Sequence, residues 1–210
     1  MSIAVAITRA AANTDTGNQT FTAADLGDLT PAAALFIVSG GTSDGTAAAD
    51  AILGFGAATS TSERWACDAT SEDSVATTDS SRHAIDDGCI IVTAPGSSSA
   101  DGEADFVSFG TNSVTVNWSD APSSAWLITV ILFGGDDLSA HAGVYTPHGT
   151  VDNAVDVTGP GFEPDIVFSA THGEGFDGSG YSDGKLSFGI ALNKDPVVQF
   201  CQGWFSSNGE

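Results

Sequence analysis

Residues 31–58 read PAAALFIVSGGTSDGTAAADAILGFGAA, and residues 164–191 read PDIVFSATHGEGFDGSGYSDGKLSFGIA. Sliding the chain by 133 residues without a gap places Pro31 on Pro164, Gly40 on Gly173, Asp44 on Asp177, Gly45 on Gly178 and Asp50 on Asp183. Leu53 then meets Leu186, Phe55 meets Phe188, Gly56 meets Gly189 and Ala58 meets Ala191. Each stretch is a proline, a strand-like apolar run, a polar loop containing Asp-Gly, and a second run of the form LxFGxA. Proline opens a strand, Asp-Gly closes a turn, and glycine inside the second run allows close approach or a bulge. The recurrence predicts an internal pseudo-repeat of strand hairpins.

The same offset decides how Gly41-Thr-Ser43-Asp-Gly45 is read. The segment satisfies the G-x-S-x-G pattern of a hydrolase nucleophile elbow, which needs a strand before it and a helix after it. Ser43 falls on Phe176, so the hydroxyl has no counterpart while the turn-forming Asp-Gly does. A strand-like run, not a long helix, follows. The pattern therefore predicts a turn hydroxyl at Ser43 and no catalytic residue.

Outside the hairpins, short apolar or alternating runs separated by Gly, Asp, Ser and Pro predict further strands. The full set lies near 3–7, 19–22, 34–39, 52–57, 64–67, 89–93, 104–109, 113–118, 125–133, 142–145, 154–157, 165–169, 185–192 and 197–204. Helix is expected only as a turn or two over Ala47 to Leu53, where alanine is dense. Asp120-Ala-Pro122-Ser forms a turn between two strands, with Trp118 and Trp126 beside it as core aromatics. The fold class expected is all-β, a jelly-roll-like β-sandwich with little helix. One domain over 1–210 is expected, with repeat units near 17–70 and 151–205. A complete first domain with a partial second is the other arrangement considered.

The chain has 27 acidic residues against five Lys and Arg, a formal charge of −22. Such a surface repels phosphate backbones and excludes nucleic acid as a direct partner. It suits solubility in a salty or extracellular setting, or binding of divalent cations. No run approaches a membrane span, and the first residues read as a strand rather than a secretory signal. Cys67, Cys89 and Cys201 are too few and too widely spaced for a disulfide framework or a CxxC metal site, and they read as small buried side chains. Asn18 and Asn117 begin glycosylation sequons that matter only in a eukaryotic secretory pathway.

His83, His141, His148 and His172 show no metal-ligand spacing, and His141 and His148, in the loop-rich stretch after GGDDLSA, read as solvated or hydrogen-bonded loop residues. Carboxylates cluster at Glu72 and Asp73, at Asp86 and Asp87, at Asp101, Glu103 and Asp105, at Asp136 and Asp137, and in GEGFDGSGYSDG. That last loop, through Asp177 and Asp183 with Glu174, is the best calcium candidate, although it departs from the EF-hand spacing. A solvated loop is the simpler reading. No phosphate-binding glycine loop is present, and no cofactor is expected.

GNQTFTAADLGDLTPAAALFIVSG followed by LGFGAAT, then DGEADFVSFGTNSVTVNWSDAPSSAWLITVILFGGDDL, and finally VTGPGFEPDIVF with LSFGIAL, resemble β-rich virion structural proteins of tailed bacteriophages. The resemblance covers residues 17 to about 192 and rests on strand and turn patterns, not on catalytic signatures. It implies a non-enzymatic component of the particle exterior, either a capsid decoration (cement) protein or a tail fibre or accessory component. It further implies assembly in the host cytoplasm, a location in the virion, and partners among copies of itself, as a homo-oligomer, and other virion proteins. Sparse cysteine suits that reducing compartment. The alternative expectation is a lectin-like module that recognises a host-surface glycan through Trp65, Trp204, Tyr145 or Tyr181.

Overall fold

The computed structural model describes residues 3–147, 149–150 and 153–209. His148 and the start of the second repeat unit at 151 lie outside the described residues. The fold is all-β and antiparallel, and its only helical element among those residues is a 3-10 turn at Ala24–Leu26. No helix among them is long and apolar enough to cross a membrane.

The strands are β1 (Ala4–Ala11), β2 (Gly17–Thr22), β3 (Pro31–Ser39), β4 (Ala51–Ala58), β5 (Arg64–Glu72), β6 (Asp79–Ile85) and β7 (Ile90–Thr93). They continue as β8 (Ala100–Gly110), β9 (Ser113–Asp120), β10 (Leu127–Gly134), β11 (Ile166–Thr171), β12 (Gly180–Ser182), β13 (Gly184–Leu192) and β14 (Val198–Ser206). A seven-stranded sheet in the order β1-β10-β3-β4-β5-β6-β12 forms the middle layer, with β2-β9-β8-β7 on one face. The three-stranded sheet β11-β13-β14 packs on the other, a third sheet beyond the two that a jelly roll needs.

Alternation assigns each side chain to a layer. On β3, Ala34, Phe36 and Val38 point into the larger core with Ile128, Val130 and Leu132 of β10. They meet Phe21, Phe106, Val114, Val116 and Trp118 of the four-stranded sheet. On β5 the parity splits: Trp65, Cys67 and Ala69 enter the second core, with Leu186 of β13 and Trp204 of β14. Ala66 of β5 packs instead with Ile85 and Ile91. Burial on both faces explains why β5 and β6 carry so few exposed positions.

The two hairpins at the 133-residue offset have one register. β3 pairs with β4 as Ala34↔Ala58 through Val38↔Gly54. β11 pairs with β13 as Val167↔Ala191 through Thr171↔Ser187, the same pairs moved by the offset. Backbone conformation matches as well: Gly45 and Gly178 have φ of 70° and 72°, and Asp50 and Asp183 are both left-handed at 40° and 67°. Gly56 sits where a Cβ would lie 2.0 Å from the Cys89 carbonyl oxygen, so only glycine lets β7 approach β4.

Several expectations need correction. Residues 47–53 form no helix, because 47–50 are loop and 51–53 already belong to β4. Residues 142–145 and 154–157 form no strands, because no neighbouring strand pairs with these short runs. β6 and β12 lie outside the expected strand set, since neither DSSRHAI nor GYS carries an apolar run or clean alternation. The turn at Asp120 to Ser123 joins two strands as expected, and they belong to different sheets, since β9 pairs with β2 and β8 while β10 pairs with β1 and β3. Cys67 and Cys89 are buried as expected, but Cys201 is exposed on β14, a sheet edge.

Candidate functional site

β6 and β12 close one edge of the middle sheet, and a polar cluster sits there. Arg82 is 3 % exposed; its Nη2 donates to Glu174 Oε1 at 2.8 Å, and its Nη1 donates to the carbonyls of Ser182 and Asp183. The guanidinium also lies 5.4 Å from the centre of the Tyr181 ring. His83 Nε2 donates to the Gly178 carbonyl at 2.7 Å. His172 is fully buried, beside Phe176 and Tyr181; its Nδ1 accepts from the Glu174 backbone N–H at 3.4 Å. Burial, with the Arg82 charge next, lowers the His172 pKa to about 4, so the ring is neutral at physiological pH. Arg82 Nε, His83 Nδ1 and His172 Nε2 are buried with no hydrogen-bond partner among the described residues.

The two calcium candidates are placed in this region but engaged separately. Asp177 Oδ1 accepts from Ser179 N–H at 2.9 Å and its Oδ2 from the Tyr181 hydroxyl at 2.7 Å, which hold its carboxyl below the usual range. Asp183 Oδ1 accepts from Asn208 N–H at 2.8 Å, tying the loop to the chain just beyond β14. Among the described residues no three His, Cys, Asp or Glu side chains converge in a way that could hold a metal ion. Asp177 takes two local donors and Asp183 one, bonds that fasten the loop to β12 and to the chain beyond β14.

Ser43 is exposed in a loop that carries no helix. Its neighbour Asp44 pairs with Arg9 of β1, fastening the loop across the sheet. Next to this loop lies an open cleft of about 470 Å³, bordered by Gly40, Thr46, Asp50, Leu53 and Trp204. Asp50 is partly engaged there, accepting from Asp73 N–H at 2.8 Å. Of the four aromatics proposed for glycan contact, Trp65 is buried and Tyr181 is half-buried under Arg82. Tyr145 is exposed, and Trp204 borders the cleft.

A second polar feature, missed in the sequence, crosses between layers. Asp68 of β5 is fully buried and takes two bonds from Thr93 of β7, from the backbone N–H and, at 2.8 Å, from the hydroxyl. Burial raises its pKa to about 7 despite those donors. It looked like one acid among many; only the pairing of β5 between two covered faces makes it distinctive.

The largest unfilled chemistry is on the surface. Val5 and Ile7 are 54 % and 60 % exposed on one face of β1, an edge strand of the middle sheet, and Ile3 just before it is 57 % exposed. Phe200 and Phe205 of β14 are 68 % and 61 % exposed, and Val197 beside them is 61 % exposed. No protein-family model, curated protein or solved structure matches this chain.

Proposed function

We propose that this chain is a non-enzymatic structural protein of a tailed-phage particle, carried on its exterior as a capsid decoration or a tail component. The observation that carries the reading is the pair of apolar strand edges, β1 and β14, on a chain otherwise crowded with acids. An exposed, uncapped strand edge is a template for another chain, and proteins that stay single blunt such edges with charge, proline or bulges. β14 has no charged residue and no proline, and β1 has only Arg9. Strong negative charge elsewhere keeps unassembled copies apart, while neutral edges supply the contacts. The sequence resemblance supplies the setting, and a reducing assembly compartment agrees with an exposed thiol at Cys201. Labelling intact particles with an antibody to the chain tests this: label on the capsid or tail exterior is expected, and label on neither overturns it.

A second reading has one observation in its favour. Trp204 beside Asp50 and Thr46 gives the cleft an apolar ring and polar groups, the elements of a saccharide site. A glycan array read with and without calcium separates the readings, because a protein that acts only by assembly gives no sugar-specific signal.

A further inference from the structure

The offset that matches the two hairpins also locates a missing neighbour. β5, which follows β4 in the middle sheet, is paired on its far side by β6, as Cys67↔Ala84 and Thr70↔Ser81. Among the described residues β14, which follows β13 in the three-stranded sheet, pairs with β13 alone. Residues 199–203, the middle of β14, are all exposed. One row of its backbone donors and acceptors therefore faces outward without a strand to bond.

The chemistry of that edge selects its occupant. VQFCQGWFS carries no charge, in a chain whose formal charge is −22. Two copies can meet there without opposing acids, which they can do at few other surfaces. The exposed parts of Phe200 and Phe205 leave on the order of 250 Å² of ring in water. With Val197 at 61 % exposure added, the apolar part of the edge stays below the ~800 Å² per partner of a standard interface, so the main-chain bonds of strand addition carry much of the contact.

We propose that β14 pairs with β14 of a second copy, antiparallel about a two-fold axis at Gln202, turning two three-stranded sheets into one of six strands. Residues directly opposite in such a pair share a face. Gln202 then meets its own counterpart, and exposed Phe200 meets Trp204 of the partner subunit. Trp204 packs against the middle sheet, so each copy's body flanks the other's overhanging ring. The contact is isologous and closes at two copies. This inference rests on the assembly reading above and specifies its partner.

The test is sedimentation equilibrium of the purified chain under reducing conditions, with Gln202→Asp beside the wild type. Gln202 is exposed, and an aspartate there faces its own copy across the axis. A wild-type dimer that weakens at least tenfold in the variant is expected. A wild type that stays monomeric into the high micromolar range, or a dimer unmoved by the substitution, overturns the proposal. As a second readout, Gln202→Cys in a Cys201→Ser background should cross-link two copies on oxidation, while Thr22→Cys in the same background should not; equal yields overturn it. Particle labelling keeps the two failures apart. A chain found on particles without this dimer sinks the inference alone, and a β14 dimer absent from particles sinks the particle reading alone.

Discussion

Phe55 and Phe188, matched by the 133-residue offset, stack on each other with ring centroids 4.7 Å apart and planes 22° apart. Equivalent positions of the two hairpins thus meet across the interface between the middle sheet and the three-stranded sheet. Phe168 extends the stack at 6.3 Å from Phe188 and reaches Phe133 of β10 at 6.0 Å. The offset that shows in the sequence is also a packing relationship: a residue touches its own counterpart, as in an isologous contact.

The stack should therefore govern attachment of the third sheet. Phe188→Ala is expected to cost about 3 kcal/mol, and a double-mutant cycle with Phe55→Ala to give about 1 kcal/mol of coupling. Denaturant unfolding measures both. Additive effects would mean that the rings do not hold the layers together.

Two buried groups should pull the pH dependence of stability in opposite directions. Asp68 has a folded pKa raised to about 7, so its contribution is full below pH 4 and is lost as pH rises to about 7. His172, lowered to about 4, contributes fully above pH 6.5 and loses that as pH falls toward 4. Each is worth on the order of 3 kcal/mol over its window. Asp68→Asn should remove the decline with rising pH, and His172→Phe the decline with falling pH. Thermal unfolding from pH 4 to 8 checks both; an unchanged slope in either variant contradicts the assignment for that residue.

Glycine at 56 is a packing requirement. Gly56→Ala should destabilise by about 3 kcal/mol or more, because backbone must move to admit the methyl. Gly203→Ala, with its nearest neighbour at 3.6 Å on an exposed strand, should change stability by no more than about 0.5 kcal/mol. Equal costs in chemical denaturation would contradict the close approach of β7 to β4.

Ser43→Ala should leave folding and any ester turnover unchanged, since the loop lacks the helix that an elbow serine needs. Loss of a measurable wild-type esterase activity in that variant would reinstate the serine.

The hairpins and most strands were readable because apolar alternation survives wherever one face meets a core, as Ala34, Phe36 and Val38 show. β6 was hidden because four of its buried side chains, Ser80 to His83, are polar, and three of them bond to other segments: Ser80 with Ser206 at 2.7 Å, Ser81 with Thr70 at 3.0 Å, Arg82 with Glu174. Those partners are distant in the chain and leave no local pattern. The acids near β12 were visible as a cluster, but their donors Ser179, Tyr181 and Asn208 became evident only with the backbone in place. The apolar edge on β14 was visible as a strand; that its far side lacks a neighbour is a property of topology.

An electron cryo-microscopy map of the intact native particle tests the central claim most directly. The account predicts density for the three stacked sheets on the outside of the capsid or tail, with β1 or β14 against a neighbouring chain. A particle without this chain, or one holding it only by its acidic loops with both strand edges bare to solvent, would contradict it.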